Sequence, residues 1–235
     1  MASIVLPSAT TQFQLYDHLL KFQLFQGLSR TELLQMAGNT KFGFLKLSDD
    51  MQVVTDGSPC EQLFFLISGR LSLTTRSVDG GYAVVEELSA PWIIQPDVLF
   101  GVSPRFTCSA RTVSESHFIT LSKSEVIRLL DSFLIVRLNM LNLLATLSQR
   151  RQLQQWRRPP LTLRGRIVRF LLDHSIYPAG HKEFRILMTR LAEEVGDSRL
   201  DVSRTLNKMQ DEGLLTLRRG RIVVPSLEQF MVNSE

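Results

Sequence analysis

At 235 residues the chain has room for one large domain or two of ordinary size, and 44% hydrophobic residues supply a real core, which argues against disorder. No run of about 20 apolar residues is present to span a bilayer, and the first eleven residues lack the basic start and apolar stretch of a secretion signal, so a cytoplasmic protein is expected. The formal charge of +4 is modest but unevenly placed: residues 156–235 carry 14 basic against 10 acidic side chains, and residues 1–155 balance, as expected if the last third meets a polyanion.

In chain order, residues 15–38 read as one or two short helices, with Leu19, Leu20, Phe22, Phe25, Leu33 and Leu34 apolar and a capping box at Ser29-Arg30-Thr31-Glu32. From about Phe42 to Ser122 the pattern changes to short strands. Leu63 to Ile67 is apolar on both faces, Arg70 to Thr75 alternates strictly, and Asp79-Gly80-Gly81 makes a tight turn before Ala83–Leu88. A further strand is expected over Val113–Leu121. Such strands without intervening helices predict an antiparallel sandwich or barrel.

Helical spacing returns near Ser124 and predicts one helix of nearly thirty residues with a seam of Ile127, Leu130, Leu134, Leu138, Leu141 and Leu144. Pairing with the same helix of a second copy would bury that seam; the alternative is that it lies on its own β-domain. Pro159-Pro160 ends it, flanked by Arg150-Arg151 and Arg157-Arg158.

The remainder predicts a helix at about 162–175, a turn at Tyr177-Pro178-Ala179-Gly180, two short helices and a hairpin. Leu191, Ala192 and Val195 give the first short helix a buried side, Gly196 allows a left-handed turn, and Ser198 can cap the second. In that helix Val202, Leu206 and Met209 face inward, leaving Arg199, Ser203, Arg204 and Asn207 outward. An arginine so placed can pair with guanine O6 and N7 in a major groove. Leu214–Leu217 and Arg221–Val224, joined by Arg218-Arg219-Gly220, predict a wing with a basic tip suited to phosphates. The candidate DNA-reading set is Thr189, Ser198, Arg199, Leu200, Asp201, Ser203, Arg204, Asn207, Arg218 and Arg219.

These stretches together resemble the CRP/FNR family of bacterial regulators, the cAMP receptor protein and fumarate–nitrate regulator group. The resemblance rests on Leu24-Phe25-Gln26-Gly27-Leu28-Ser29, Ser68-Gly69-Arg70, Asp79-Gly80-Gly81, Leu99-Phe100-Gly101, Asp197-Ser198-Arg199 through Val202-Ser203-Arg204, and Glu212-Gly213-Leu214-Leu215. It implies an α+β protein: an antiparallel β-roll sensor of cupin-like jelly-roll form over residues 1–123, a dimerisation helix over 124–158, and a winged helix-turn-helix over 159–235. It also implies a homodimer that binds double-stranded DNA at a near-palindromic operator and contacts RNA polymerase. The family often has Glu directly after the position of Arg199, reading cytosine. Here that residue is Leu200, which could meet a thymine methyl, with Asp201 as a polar substitute.

The resemblance places an effector pocket near Gln95, Pro96, Phe100, Arg105 and Arg111. Pro96 stands where cyclic-nucleotide-binding relatives carry the ribose-binding Glu, so cAMP is disfavoured. Two cysteines, Cys60 and Cys108, are too few for a four-thiolate iron–sulfur cluster and read as two reduced, half-buried thiols. Haem stays open, with Met51, Cys60, Cys108 and His117 as available ligands; so do another small molecule and no ligand. Four scattered histidines give no metal site, and no catalytic triad, Walker loop or dinucleotide fingerprint appears, so an enzyme is not expected. The rival reading is a ligand-binding signalling module that does not touch DNA.

Overall fold

The computed structural model describes residues 16–156 and 158–232. A helical turn at 16–19 and a 3-10 turn at Gln23–Phe25 precede helix α1 (Arg30–Asn39). Its capping box forms as the sequence implies: Ser29 Oγ accepts the Glu32 N–H, and the Glu32 carboxylate accepts the Ser29 N–H at 2.8 Å.

Eight strands build the roll: β1 (Gly43–Leu47), β2 (Gln52–Val54), β3 (Gln62–Ser68), β4 (Arg70–Arg76), β5 (Tyr82–Ser89), β6 (Trp92–Ile93), β7 (Ser109–Thr112) and β8 (Ser116–Ser122). One sheet runs β1-β8-β3-β6 and faces a second containing β5-β4-β7-β2. β3 is the central strand of the first sheet and is buried through Leu63, Phe64, Phe65 and Leu66, which explains its lack of alternation. Where the sequence predicts one strand over Val113–Leu121, the region holds two: β8, which starts only at Ser116, and β7, which lies before the expected start. Gly69 lies at φ +99 with its Cα against Ser116, and Val113–Glu115 forms the corner between β7 and β8.

The thirty-residue helix is also two. Helix α2 (Lys123–Ser132) starts on the Ser122 hydroxyl and ends at Phe133, whose backbone is extended and whose ring is buried. Helix α3 (Leu134–Trp156) leaves at a 117° bend. Arg137 makes the break tolerable by donating to the Leu130 carbonyl at 2.6 Å and the Asp131 carbonyl at 3.0 Å, two groups the end of α2 leaves free. Among the described residues no single helix is long and apolar enough to cross a membrane. Helix α2 lies on the roll through Val126 and Leu129.

Phe133, Val136 and Met140 turn inward to the roll, whereas Leu134, Leu138 and Leu141 point out, 63%, 49% and 56% exposed. Of the six seam leucines and isoleucine, Leu130 and Leu144 pack on the chain's own core and the other four do not. Both cysteines are free and fully buried rather than half-buried, and burial pushes the Cys108 thiol up to about 12.

The last third contains α4 (Leu163–Asp173), β9 (Lys182–Ile186), α5 (Met188–Val195), α6 (Arg199–Asp211), β10 (Thr216–Arg218), β11 (Arg221–Val224) and α7 (Gln229–Val232). β9 is absent from the sequence reading. It joins β11 to β5, so the second sheet of the roll continues without interruption into the wing, β10-β11-β9-β5-β4-β7-β2. A second core forms around Ile167, Phe170, Phe184, Leu191, Val202, Leu206 and Ile222, and Val84 of the roll belongs to it.

Candidate nucleic-acid interface

The helix-turn-helix follows from short-range chemistry. Leu191, Ala192 and Val195 are buried on α5, and Gly196 closes it at φ 63 with its N–H on the Ala192 and Glu193 carbonyls. Ser198 then caps α6: its hydroxyl accepts the Asp201 N–H at 3.1 Å and donates to the Asp201 carboxylate at 2.7 Å. Val202, Leu206 and Met209 are fully buried, which fixes the opposite edge of α6 in solvent.

On that edge Arg199, Leu200, Asp201, Arg204 and Asn207 are exposed and Ser203 is half-buried. Asp201 is committed to the cap and to an ion pair with Arg204 at 3.5 Å, so its carboxylate is not free to replace the missing Glu. Asn207 donates to the Ser203 carbonyl at 2.8 Å along its own helix. Leu200 is 59% exposed and projects from the first turn, where an apolar side chain has nothing of its own chain to cover.

The wing hairpin is tighter than the sequence suggests. Arg218 pairs across with Arg221, and the turn is Arg219-Gly220, with Gly220 at φ 68. Arg218 and Arg219 are exposed. Thr189, in the first turn of α5, meets Arg199, Arg218 and Arg221 around an open cleft of about 280 Å³ between α6 and the wing. The structure therefore gathers Thr189, Arg199 and Arg218 on one cleft, with Arg204 and Asn207 along the adjoining helix edge.

Two arginines not singled out from sequence hold this unit together. Arg166 of α4 donates to the Val195 carbonyl at 2.8 Å and to Asp197 at 2.5 Å, so one guanidinium braces the turn between α5 and α6. Arg164 pairs with Glu212 at 2.7 Å and holds that carboxyl below its ordinary range. Their spacing on an amphipathic helix was visible, but their partners lie thirty and more residues away.

The effector set is not brought together. Pro96 opens a 3-10 turn (Pro96–Val98) after Gln95, which sits at φ 37 and bonds Thr107 through both amide atoms. Arg105 donates to the Gly57 carbonyl at 2.7 Å, Arg111 pairs with Asp50 at 3.0 Å, and Phe100 lies under Lys123. Asp97, in the same turn as Pro96, holds Arg151 of α3 at 2.6 Å.

The four haem-ligand candidates are equally dispersed. Met51 is 45% exposed, His117 pairs outward with Glu115 at 3.2 Å, and both cysteines pack inside the core. Among the described residues no group of three His, Cys, Asp or Glu could hold a metal.

Residues 45–133 match the cyclic nucleotide-binding domain family, and residues 165–231 match the Crp-like helix-turn-helix domain family. No curated protein matches the chain. Among solved structures, the sensor domain of the transcriptional regulator DNR from Pseudomonas aeruginosa is similar at 22% identity, covering 65% of this chain and 98% of that one, with a TM-score of 0.51. The likeness extends to the fold. The catabolite activator protein from Thermus thermophilus is 21% identical over 89% of this chain and 97% of its own, TM-score 0.49. The c-di-GMP responsive global regulator CLP of Xanthomonas campestris is 22% identical over 82% of this chain and 97% of its own, TM-score 0.47. With a cyclic nucleotide-binding domain and a Crp-like helix-turn-helix domain in that order on one chain, the protein belongs to the CRP/FNR family of DNA-binding transcription regulators.

Proposed function

We propose that the chain acts in the cytoplasm as a homodimer that reads a near-palindromic operator and contacts RNA polymerase, without catalytic activity of its own. The observation that carries this reading is the two-sided recognition helix: Val202, Leu206 and Met209 anchored, with Arg199, Arg204 and Asn207 exposed on the other edge beside a basic wing. Arg199 and Arg204 read base edges, with Ser203 and Asn207 as shorter polar contacts. Thr189, Ser198, Arg218 and Arg219 meet phosphates and set the register. Leu200 replaces a cytosine-reading Glu with a methyl-bearing surface, which favours thymine at that step.

The dimer is supported by the outward leucines of α3, which nothing in the described chain covers. The sensor input is not cAMP, because Pro96 opens the turn where cyclic-nucleotide-binding relatives carry the ribose-binding Glu; a haem-based redox or nitric-oxide input is the alternative.

Selection of duplexes from a random pool by the purified full-length protein tests the reading. A two-fold symmetric consensus whose affinity falls steeply with salt is expected. Salt-insensitive behaviour with no duplex selected would leave the chain as a signalling module that does not meet DNA.

A further inference from the structure

The two halves of the chain share a sheet, and the rung at its junction carries a buried ion pair that the DNA-facing surface does not use. β9 pairs antiparallel with β5 through Tyr82↔Ile186, Ala83↔Arg185, Val84↔Phe184, Val85↔Glu183 and Glu86↔Lys182. Glu86 and Lys182 are both fully buried, with Nζ 2.9 Å from Oε1. The ammonium approaches the oxygen out of line, so the contact is an ion pair rather than a hydrogen bond, and its other neighbour is the Tyr177 ring at 5.7 Å. The carboxylate also accepts the Ile176 N–H at 2.9 Å and the Tyr177 N–H at 3.2 Å. All three partners of this sensor carboxylate follow α4: two in the segment before β9, and Lys182 at the first position of β9.

Such a pair adds little net stability over apolar side chains of equal size, but it penalises every arrangement that parts the charges. Side chains alternate faces, so a one-residue slip of β9 would turn Lys182 to the other side of the sheet. A two-residue slip would set it against Val84 or Leu88, both buried, and leave Glu86 among apolar groups. At the far end of the same hairpin Asp79, fixed by Ser77 and the Gly81 N–H, holds Arg190 of α5 at 2.7 Å. The hairpin β4–β5 is thus tied along Tyr82–Glu86 to β9 and at its tip to the helix-turn-helix.

We infer that Glu86 and Lys182 are positioning residues for DNA recognition: they pin the register of β9 on β5, and with it the orientation of α6 relative to the sensor and the distance between the two recognition helices of a dimer. This rests on the dimeric reading proposed above. Half-sites one helical turn apart ask for a separation of about 34–36 Å, which an unpinned domain does not hold.

The test compares the full-length wild type with Glu86→Gln/Lys182→Met, which keeps an acceptor for the two N–H groups and nearly the same volume while removing both charges. Glu86→Leu/Lys182→Leu serves as a second variant should the first fold poorly. Three readouts are taken: thermal midpoint, hydrogen exchange of the β5 and β9 amides, and competition between the selected operator, the same half-sites moved one base pair apart, and a single half-site. The expected result is a midpoint at or above wild type, faster exchange in β9, retained half-site binding, and a preference for the native spacing reduced about tenfold. Wild-type exchange with wild-type spacing preference would overturn the inference. So would an equal loss on all three duplexes, which marks a merely structural role. A wild type that selects no duplex defeats the dimeric reading alone, and the exchange of β9 in the neutral variant still decides the pin.

Discussion

Leu138→Glu on α3 should separate the dimer without unfolding the chain. Leu134, Leu138 and Leu141 expose 63%, 49% and 56% of their surfaces, together nearly two whole leucines per protomer. At roughly 1.5–3 kcal/mol for each leucine fully removed from water, a symmetric seam built on them gains about 5–10 kcal/mol from two copies. Over both copies position 138 accounts for about three tenths of that, and the substitution adds two carboxylates facing each other in a closing apolar contact. The combined penalty of about 3–5 kcal/mol weakens dimerisation by at least two orders of magnitude. The isolated protomer tolerates it, because half of that side chain already meets solvent. Sedimentation velocity at micromolar concentration should show the variant at half the wild-type mass with an unchanged thermal midpoint for the protomer, and its operator binding should fall to that of a single half-site. A dimer of wild-type mass at low micromolar concentration would refute the seam and return the outer face of α3 to the status of an ordinary exposed surface.

Three further outcomes are expected. Arg204→Ala should cost about 1–3 kcal/mol on the selected operator and relax preference at one base pair, as read by fluorescence anisotropy on single-substitution duplexes; wild-type affinity would remove Arg204 from base reading. Arg218→Ala or Arg219→Ala should weaken all duplexes alike and reduce the salt slope by about one, so a sequence-selective loss would contradict the wing assignment. Burial raises Cys108 from 9.0 to about 12, so the folded state keeps its proton while the unfolded chain gives it up. Its contribution is complete below pH 9 and is lost progressively between 9 and about 12, amounting to about 2 kcal/mol by pH 10.5. Denaturant titrations should show Cys108→Ala losing stability less steeply than wild type across that range, and parallel curves would disprove it.

The helix-turn-helix was legible because each of its signals is short-range. Gly196, the Ser198–Asp201 cap and the spacing of Val202, Leu206 and Met209 are settled within a dozen residues, and all three reappear in the fold. The same holds for the Ser29–Glu32 box and the Asp79-Gly80-Gly81 turn. The break at Phe133 was not legible. The apolar spacing of Ile127, Leu130, Leu134 and Leu138 runs straight through it, and phenylalanine is acceptable in a helix. What ends α2 is tertiary: Phe133 enters the core and Arg137 satisfies the freed carbonyls. β9 was hidden for a related reason. Lys182 and Arg185 make Lys182–Ile186 read as a polar surface stretch, and only Glu86, far upstream, explains a lysine on the buried face. Pro96 could be read as a defect in a nucleotide seat from the sequence. The pairing of Asp97 with Arg151 could not, since it requires knowing where α3 crosses the roll.

The continuous sheet also limits how a sensor of this form can govern DNA. A ligand shifts an equilibrium only by the difference in its affinity for the two arrangements involved. In this chain the roll reaches the recognition helix by two routes, the β5–β9 ladder with its Asp79–Arg190 tip and the helix α3 anchored through Asp97–Arg151. The ladder is short-range, with five paired rungs and a buried ion pair at one end. Helix α3 ends before Pro159-Pro160, yet it meets the C-terminal domain directly, with Arg169 of α4 donating to the Gln154 carbonyl at 2.9 Å and Arg150 to the Ile176 carbonyl at 3.4 Å. A displacement of β5 and a displacement of α3 therefore each have a bonded path into the domain that carries α6. In a dimer, the same displacement applied to both copies changes the separation of the two recognition helices by twice its amount.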